Sequence, residues 1–181
     1  MGKYPVIRKL PAAHCREIGK IITRWAFLEW RLKNIGYLLL NIGPKHGRVA
    51  VRELRVCDHL TMIQDLMEIN DVSVSGFDFA KFRKLLETVG NHRDRLAHGI
   101  WIKHPDHRSP ILQLTKSSYL LPAKGKTKRI IKPEGVSIDL AGLREFVPIV
   151  DMTVKYGDIL ERLIRAALAS SRKNMPDYIS P

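Results

Sequence analysis

The residues best suited to chemistry are Arg93, Asp94 and His98, within Asn91-His92-Arg93-Asp94-Arg95-Leu96-Ala97-His98-Gly99. An arginine stays charged and offers phosphate oxygens a planar fork of donors. A histidine titrates near neutrality and moves protons there. Together they suit RNA cleavage without a metal. In that reaction a 2′-OH attacks its adjacent phosphorus and leaves a 2′,3′-cyclic phosphate and a 5′-OH. The step needs a proton acceptor, a proton donor and positive charge on the developing phosphorane oxygens. On an ideal helix of about 100° per residue, Arg93 and His98 stand about 140° apart. Gathering them takes a distorted last turn, the reach of the arginine, or a second copy of the chain. One imidazole does not easily serve both faces of an in-line displacement, whereas a twofold-related pair does, so a homodimer is expected. Asp94, four residues before His98 and about 40° from it, is placed to orient the ring.

The positioning element is a helix over about Asp78–His98, capped by Ser73 or Ser75 and closed by Gly99. Its expected buried stripe is Phe82, Leu85, Val89, His92 and Leu96. Arg93, about 40° from Val89, falls well inside that stripe, a guanidinium aimed inward that needs a partner. A first helix is predicted between Pro11 and Gly43-Pro44, with Ile18, Ile21, Trp25, Leu28, Leu32, Ile35 and Leu39 as its apolar face. After a turn at Gly43–Arg48, a second runs from about Val51 to Ile69 on Val56, Leu60, Ile63 and Met67. The last begins after Ser137 or Asp139 and carries Leu143, Val147, Val150, Val154, Gly157, Leu160 and Ile164. Pro148 predicts a kink or break in it.

Between Gly99 and that last helix the texture turns β-like, at Ile100–Lys103, Ile111–Leu114 and Lys128–Ile131. From Lys103 to Pro133 there are eight Lys/Arg and one Asp, so this insert is strongly basic. The expected fold is mainly α: a single domain over residues 1–181, built as an up-and-down bundle of four to five helices. The small β-type basic insert, about 100–135, precedes the last helix, and a polar tail follows at about 171–181.

The chain carries 31 Lys+Arg against 18 Asp+Glu, a net charge of +13. That excess favours a polyanionic partner, nucleic acid before membrane. Arg95, Lys124, Lys126, Lys128 and Arg129 are the candidate RNA contacts, with Tyr119 and Trp101 as possible stacking platforms. Two cysteines are too few and too scattered for a disulfide framework or a Cys-rich zinc site. His104-Pro105-Asp106-His107 lacks further ligands at metal spacing and reads as a surface loop. No metal or cofactor is expected. With no bilayer-length apolar run, secretory signal or lipidation motif, the expected location is the cytoplasm. Gly43–Arg48 does not match a phosphate-binding loop.

Arg93, Asp94 and His98 resemble the signature of HEPN domains (higher eukaryotes and prokaryotes nucleotide-binding). That signature is an Arg, commonly followed by Asn, Asp or His, then three residues and a His. Leu96-Ala97 and Gly99 also suit such motifs. The resemblance covers about Ala12–Ile100 and Asp139–Ala169; the insert matches no family, and no nucleotidyltransferase partner domain is recognisable. Many HEPN proteins are metal-independent RNA endonucleases of toxin–antitoxin, abortive-infection and CRISPR systems, and act as dimers that unite two motifs. The resemblance therefore implies an endoribonuclease acting as a toxin or phage-defence effector, with an antitoxin or regulatory protein as a further partner.

Each residue also has a plainer role. Arg93 would form a structural ion pair, with Glu29 as the named candidate. His98 would sit at the negative end of a helix dipole. Asp94 and Arg95 would be solvated charges, His92 a core or site-wall residue, and the lysine run a soluble loop. The alternative functions are a non-catalytic nucleic-acid-binding module and a protein-interaction helical module.

Overall fold

The structure is a computed structural model that describes residues 6–51, 54–103, 110–119 and 129–173. It is mainly helical, as expected. In chain order the elements are α1 (Ala12–Leu39), α2 (Pro44–Ala50), α3 (Val56–Ile69), α4 (Phe79–His98), β1 (Ile100–Ile102), β2 (Ile111–Tyr119), β3 (Arg129–Ile138) and α5 (Leu140–Lys173). Two compact units result: Met1–Ile22 with Asn91–Pro148, and Thr23–Gly90 with Ile149–Pro181. The helices α1, α4 and α5 each give a segment to both.

The second unit is a helical bundle. Trp25, Leu28, Leu32, Ile35 and Leu39 of α1 are buried at alternating spacings of three and four, as their periodicity predicts. Val56, Leu60, Ile63 and Met67 do the same on α3. From α5 come Val150, Leu160 and Ile164. Glycine sets one close approach: a Cβ at Gly157 would lie 2.8 Å from Leu28 Cδ1. Tyr156 beside it stacks on Phe82 at 5.9 Å between ring centroids.

Helix ends follow local chemistry more than the punctuation expected. The first helix ends at Leu39, before Gly43-Pro44, because Asn41 takes a left-handed conformation at φ 54°. The Ile42 amide then donates to the Tyr37 carbonyl at 3.1 Å and the Asn41 amide to that of Leu38 at 3.2 Å, a Schellman closure. Asp71, at φ 51°, ends α3 in the same way, with Val72 donating to Met67 at 2.8 Å. The expected turn at Gly43–Arg48 is instead helical: Pro44 starts α2, where its missing N–H is no loss. The following helix accordingly begins at Val56, not Val51.

The cap of α4 is Asp78 and not Ser73 or Ser75. Its carboxylate accepts the Lys81 amide at 2.8 Å, satisfying a first-turn donor that has no helical partner. Asp139 does the same for α5, accepting the Gly142 amide at 2.9 Å. Of the kink or break expected at Pro148, the break does not occur, and α5 runs through it.

In the first unit, an antiparallel sheet of order β1-β2-β3 occupies the expected insert. Trp101 pairs with Leu112, and β2 and β3 run in register from Leu114↔Glu134 to Tyr119↔Arg129, with an irregularity between Leu112 and Leu114. Pro133 is tolerated because β3 is an edge strand. On the other edge, the Ile7 amide donates to the Trp101 carbonyl at 2.8 Å. No helix among the described residues is long and apolar enough to cross a membrane.

Candidate functional site

Arg93, Asp94 and His98 all lie on the closing turns of α4, and His98 is its last residue. The Gly99 amide makes the last i→i−4 bond, to the Arg95 carbonyl at 2.8 Å, before the chain enters β1. Glycine is required at that junction. A Cβ on Gly99 would stand 2.7 Å from the Arg95 carbonyl oxygen and overlap the Leu112 side chain of β2. Leu96 is buried, as the stripe predicts.

Arg93 is less enclosed than its place near the apolar stripe implies. Its side chain is 37% exposed and its Nη1 pairs with Asp94 Oδ1 at 3.0 Å. The Nε of the same guanidinium is shielded from solvent and has no hydrogen-bond partner among the described residues. Glu29, the named candidate for an ion pair, accepts the Trp25 indole N–H at 2.7 Å. The Asp94 carboxylate, expected to orient His98, lies against its neighbour Arg93 and is mostly exposed. The His98 side chain lies outside the described residues, so its position relative to Asp94 and Arg93 is not part of this geometry.

The helix places His92 differently from its stripe neighbours. It is half-buried and stacks on Phe146 of α5, with centroids 4.2 Å apart and planes at 24°. Burial pushes its pKa below the usual histidine value, and the nearby Arg95 cation lowers it further. The stack and the lowered pKa both favour the neutral imidazole over the charged one. Phe82 and Val89 are buried as the stripe predicts, but at one position it departs: Leu86 is buried and Leu85 only partly.

Of the other candidates, Arg95 is half-buried on α4. Arg129 opens β3 opposite Tyr119, and its side chain lies outside the described residues. Lys124, Lys126 and Lys128, in the β2–β3 connection, also lie outside them, as do His104–His107 and the tail beyond residue 173. Among the described residues no group of three His, Cys, Asp or Glu side chains is placed to hold a metal ion.

Sequence reasoning gave no role to His14 or His59. Both are buried, and neither ring nitrogen of either has a hydrogen-bond partner among the described residues. His14 meets the Trp101 ring edge-on at 5.5 Å. His59 sits in α3, and burial, then the Lys33 cation, lower its pKa. Their spacing matches an apolar stripe, which is the one signal that marked them as interior.

Neither a family model, nor a curated protein, nor a solved structure matches this chain.

Proposed function

We propose that the chain is a metal-independent endoribonuclease that cleaves RNA through 2′-OH attack to a 2′,3′-cyclic phosphate. The observation that carries the reading is Arg93: a half-exposed guanidinium near the end of a helix whose last residue is His98. Arg93 clamps the scissile phosphate, because its fork keeps one edge in solvent and needs only to exchange Asp94 for a phosphate oxygen. His98 transfers the proton. Asp94 holds the guanidinium in place until substrate arrives. The net charge of +13 draws RNA to the protein. Two protomers supply two imidazoles, one for each side of the displacement. Such a nuclease acts in the cytoplasm as a toxin or defence effector, restrained by an antitoxin or regulatory protein.

Purified protein in EDTA is expected to cut RNA and leave cyclic phosphate ends. His98→Ala protein is expected to be folded and at least about 10²-fold slower. Equal cleavage by that variant overturns the proposal.

The Arg93–Asp94 pair itself favours a second reading, in which the arginine is held for binding alone. A non-catalytic nucleic-acid module would bind RNA in a salt-dependent manner and leave it intact, with His98→Ala binding unchanged.

A further inference from the structure

A pocket of about 280 Å³ opens in the second compact unit between α1 and α2. Its α1 wall is Trp30, Lys33, Asn34 and Tyr37, at helical spacings of three, four and seven. Arg48 of α2 faces them, with Val51 beside it. Beside the apolar Pro44 and Val51, the remaining side chains are of three kinds. Trp30 and Tyr37 supply aromatic surface, Lys33 and Arg48 supply positive charge, and Asn34 supplies an amide. No carboxylate occurs among the described lining residues. Among the described residues no acid pairs with Lys33 or Arg48, whereas nearby Arg31 is taken up by Asp158 and Glu161 at 2.7 and 2.9 Å.

The pocket is built by packing beneath it. Gly47 of α2 is buried, and a Cβ there would overlap the Tyr37 ring, so α2 reaches α1 only because residue 47 lacks a side chain. Trp30 is 58% exposed yet ordered by a stack with Phe27, 5.7 Å between centroids and 26° between planes. An indole braced in this way keeps aromatic surface open to the pocket without spending rotamer freedom on each binding event. The Asn34 amide nitrogen is shielded and has no hydrogen-bond partner among the described residues, so it has an unused donor beside the pocket.

We propose that this pocket is a binding site for one nucleotide. The base stacks on Trp30 and Tyr37, the phosphate sits between Lys33 and Arg48, and Asn34 offers its amide to the base edge or ribose. Aromatic surface without cations would suit an apolar ligand, and cations without aromatic surface would suit any anion. Both together, with an amide, match a flat heterocycle joined to a phosphate. The residues that line the pocket belong to one compact unit, and Arg93 and His98 to the other. The site stands whether or not the α4 motif cleaves RNA.

The experiment is a titration of His98→Ala protein, so that hydrolysis cannot interfere. The probes are the four ribonucleoside monophosphates, the matching nucleosides, inorganic phosphate and a single-stranded oligoribonucleotide, read by calorimetry and tryptophan fluorescence. Of the three tryptophans, Trp25 and Trp101 are 4% and 8% exposed, so a quench reports mainly on Trp30. At least one monophosphate is expected to saturate with a Kd at or below about 1 mM. Its nucleoside is expected to bind about tenfold or more weakly. Trp30→Ala, Lys33→Ala and Arg48→Ala should each weaken calorimetric binding by about tenfold or more, with unchanged circular dichroism. If the oligonucleotide binds far more tightly than the monophosphate and loses that gain in the same variants, the nucleotide is a unit of an RNA strand. Equal affinity identifies a free nucleotide. Absence of saturation to about 10 mM, or binding indifferent to all three substitutions, overturns the proposal.

Discussion

The guanidinium of Arg93 pairs with the carboxylate of its immediate neighbour, Asp94, at 3.0 Å. Adjacent helical residues point about 100° apart, so the pair depends on the reach of the long arginine side chain. The carboxylate is mostly exposed, and the bond therefore adds at most about 1 kcal/mol to stability. Under the proposed function, the acid and a phosphate compete for the same fork.

Replacement of that acid separates the two effects. Asp94→Asn is expected to leave the melting temperature within about 2 °C. It should tighten RNA binding at low salt, because a charge repelling phosphate is removed. Arg93→Ala is expected to weaken binding and lower the slope of log K against log salt by about one. Filter binding across a salt series measures both. A fall in affinity for Asp94→Asn would count against Asp94 as a competitor.

The cleavage rate distinguishes fork from charge. Arg93→Lys retains the positive charge and loses the bidentate geometry. Its rate is expected to drop by about tenfold or more while RNA binding changes little. Single-turnover assays with end-group analysis of the products provide the readout.

Gly99 makes a structural prediction. Adding a methyl group there forces either the Arg95 carbonyl or the Leu112 side chain to move. Overpacking of this kind costs about 1–3 kcal/mol, so Gly99→Ala should lower the melting temperature by several degrees. Combining it with Leu112→Val should recover nothing, since the buried leucine is needed and the carbonyl contact remains. Thermal melts of the single and double variants test this.

Acidification should loosen the fold through His59 and His92. Both have folded-state pKa values below the ordinary 6.5, so the unfolded chain binds protons more readily. Their contribution to stability is complete above about pH 6.5 and is lost as pH falls through the lowered folded values. His59 is fully buried with two ring nitrogens lacking partners, so His59→Met should raise stability at pH 7 and flatten the pH dependence below 6.5. Denaturant unfolding at pH 7 and pH 5 checks both; an unchanged difference between the two pH values would remove His59 as a contributor.

Much of the fold was legible because apolar spacing reports burial directly. Trp25, Leu28, Leu32, Ile35 and Leu39 fall on one face in sequence and in the bundle. The β-like runs expected at Ile100–Lys103, Ile111–Leu114 and Lys128–Ile131 overlap β1, β2 and β3 for a similar reason. What escaped depended on distant or local competition. Ser73 and Ser75 are good caps, but Asp78 lies nearer the first turn and has the stronger acceptor. The pocket was invisible because its α1 face, Trp30 to Tyr37, becomes a wall only once α2 folds against it. Arg93 looked buried from its angle alone, since spacing does not reveal that a long side chain can curl outward.

Helix α5 has one missing rung. Pro148 has no amide hydrogen, so the carbonyl of Arg144, four residues earlier, loses its donor within the helix. Arg144 is at the surface, where bulk water can take over that role. The tolerance of a proline inside 34 residues of helix thus rests on which side of the cylinder the vacant acceptor faces. Were the same proline moved to the position of Val150, the orphaned acceptor would belong to Phe146, a buried residue stacked on His92, and dehydration would make the defect far more damaging.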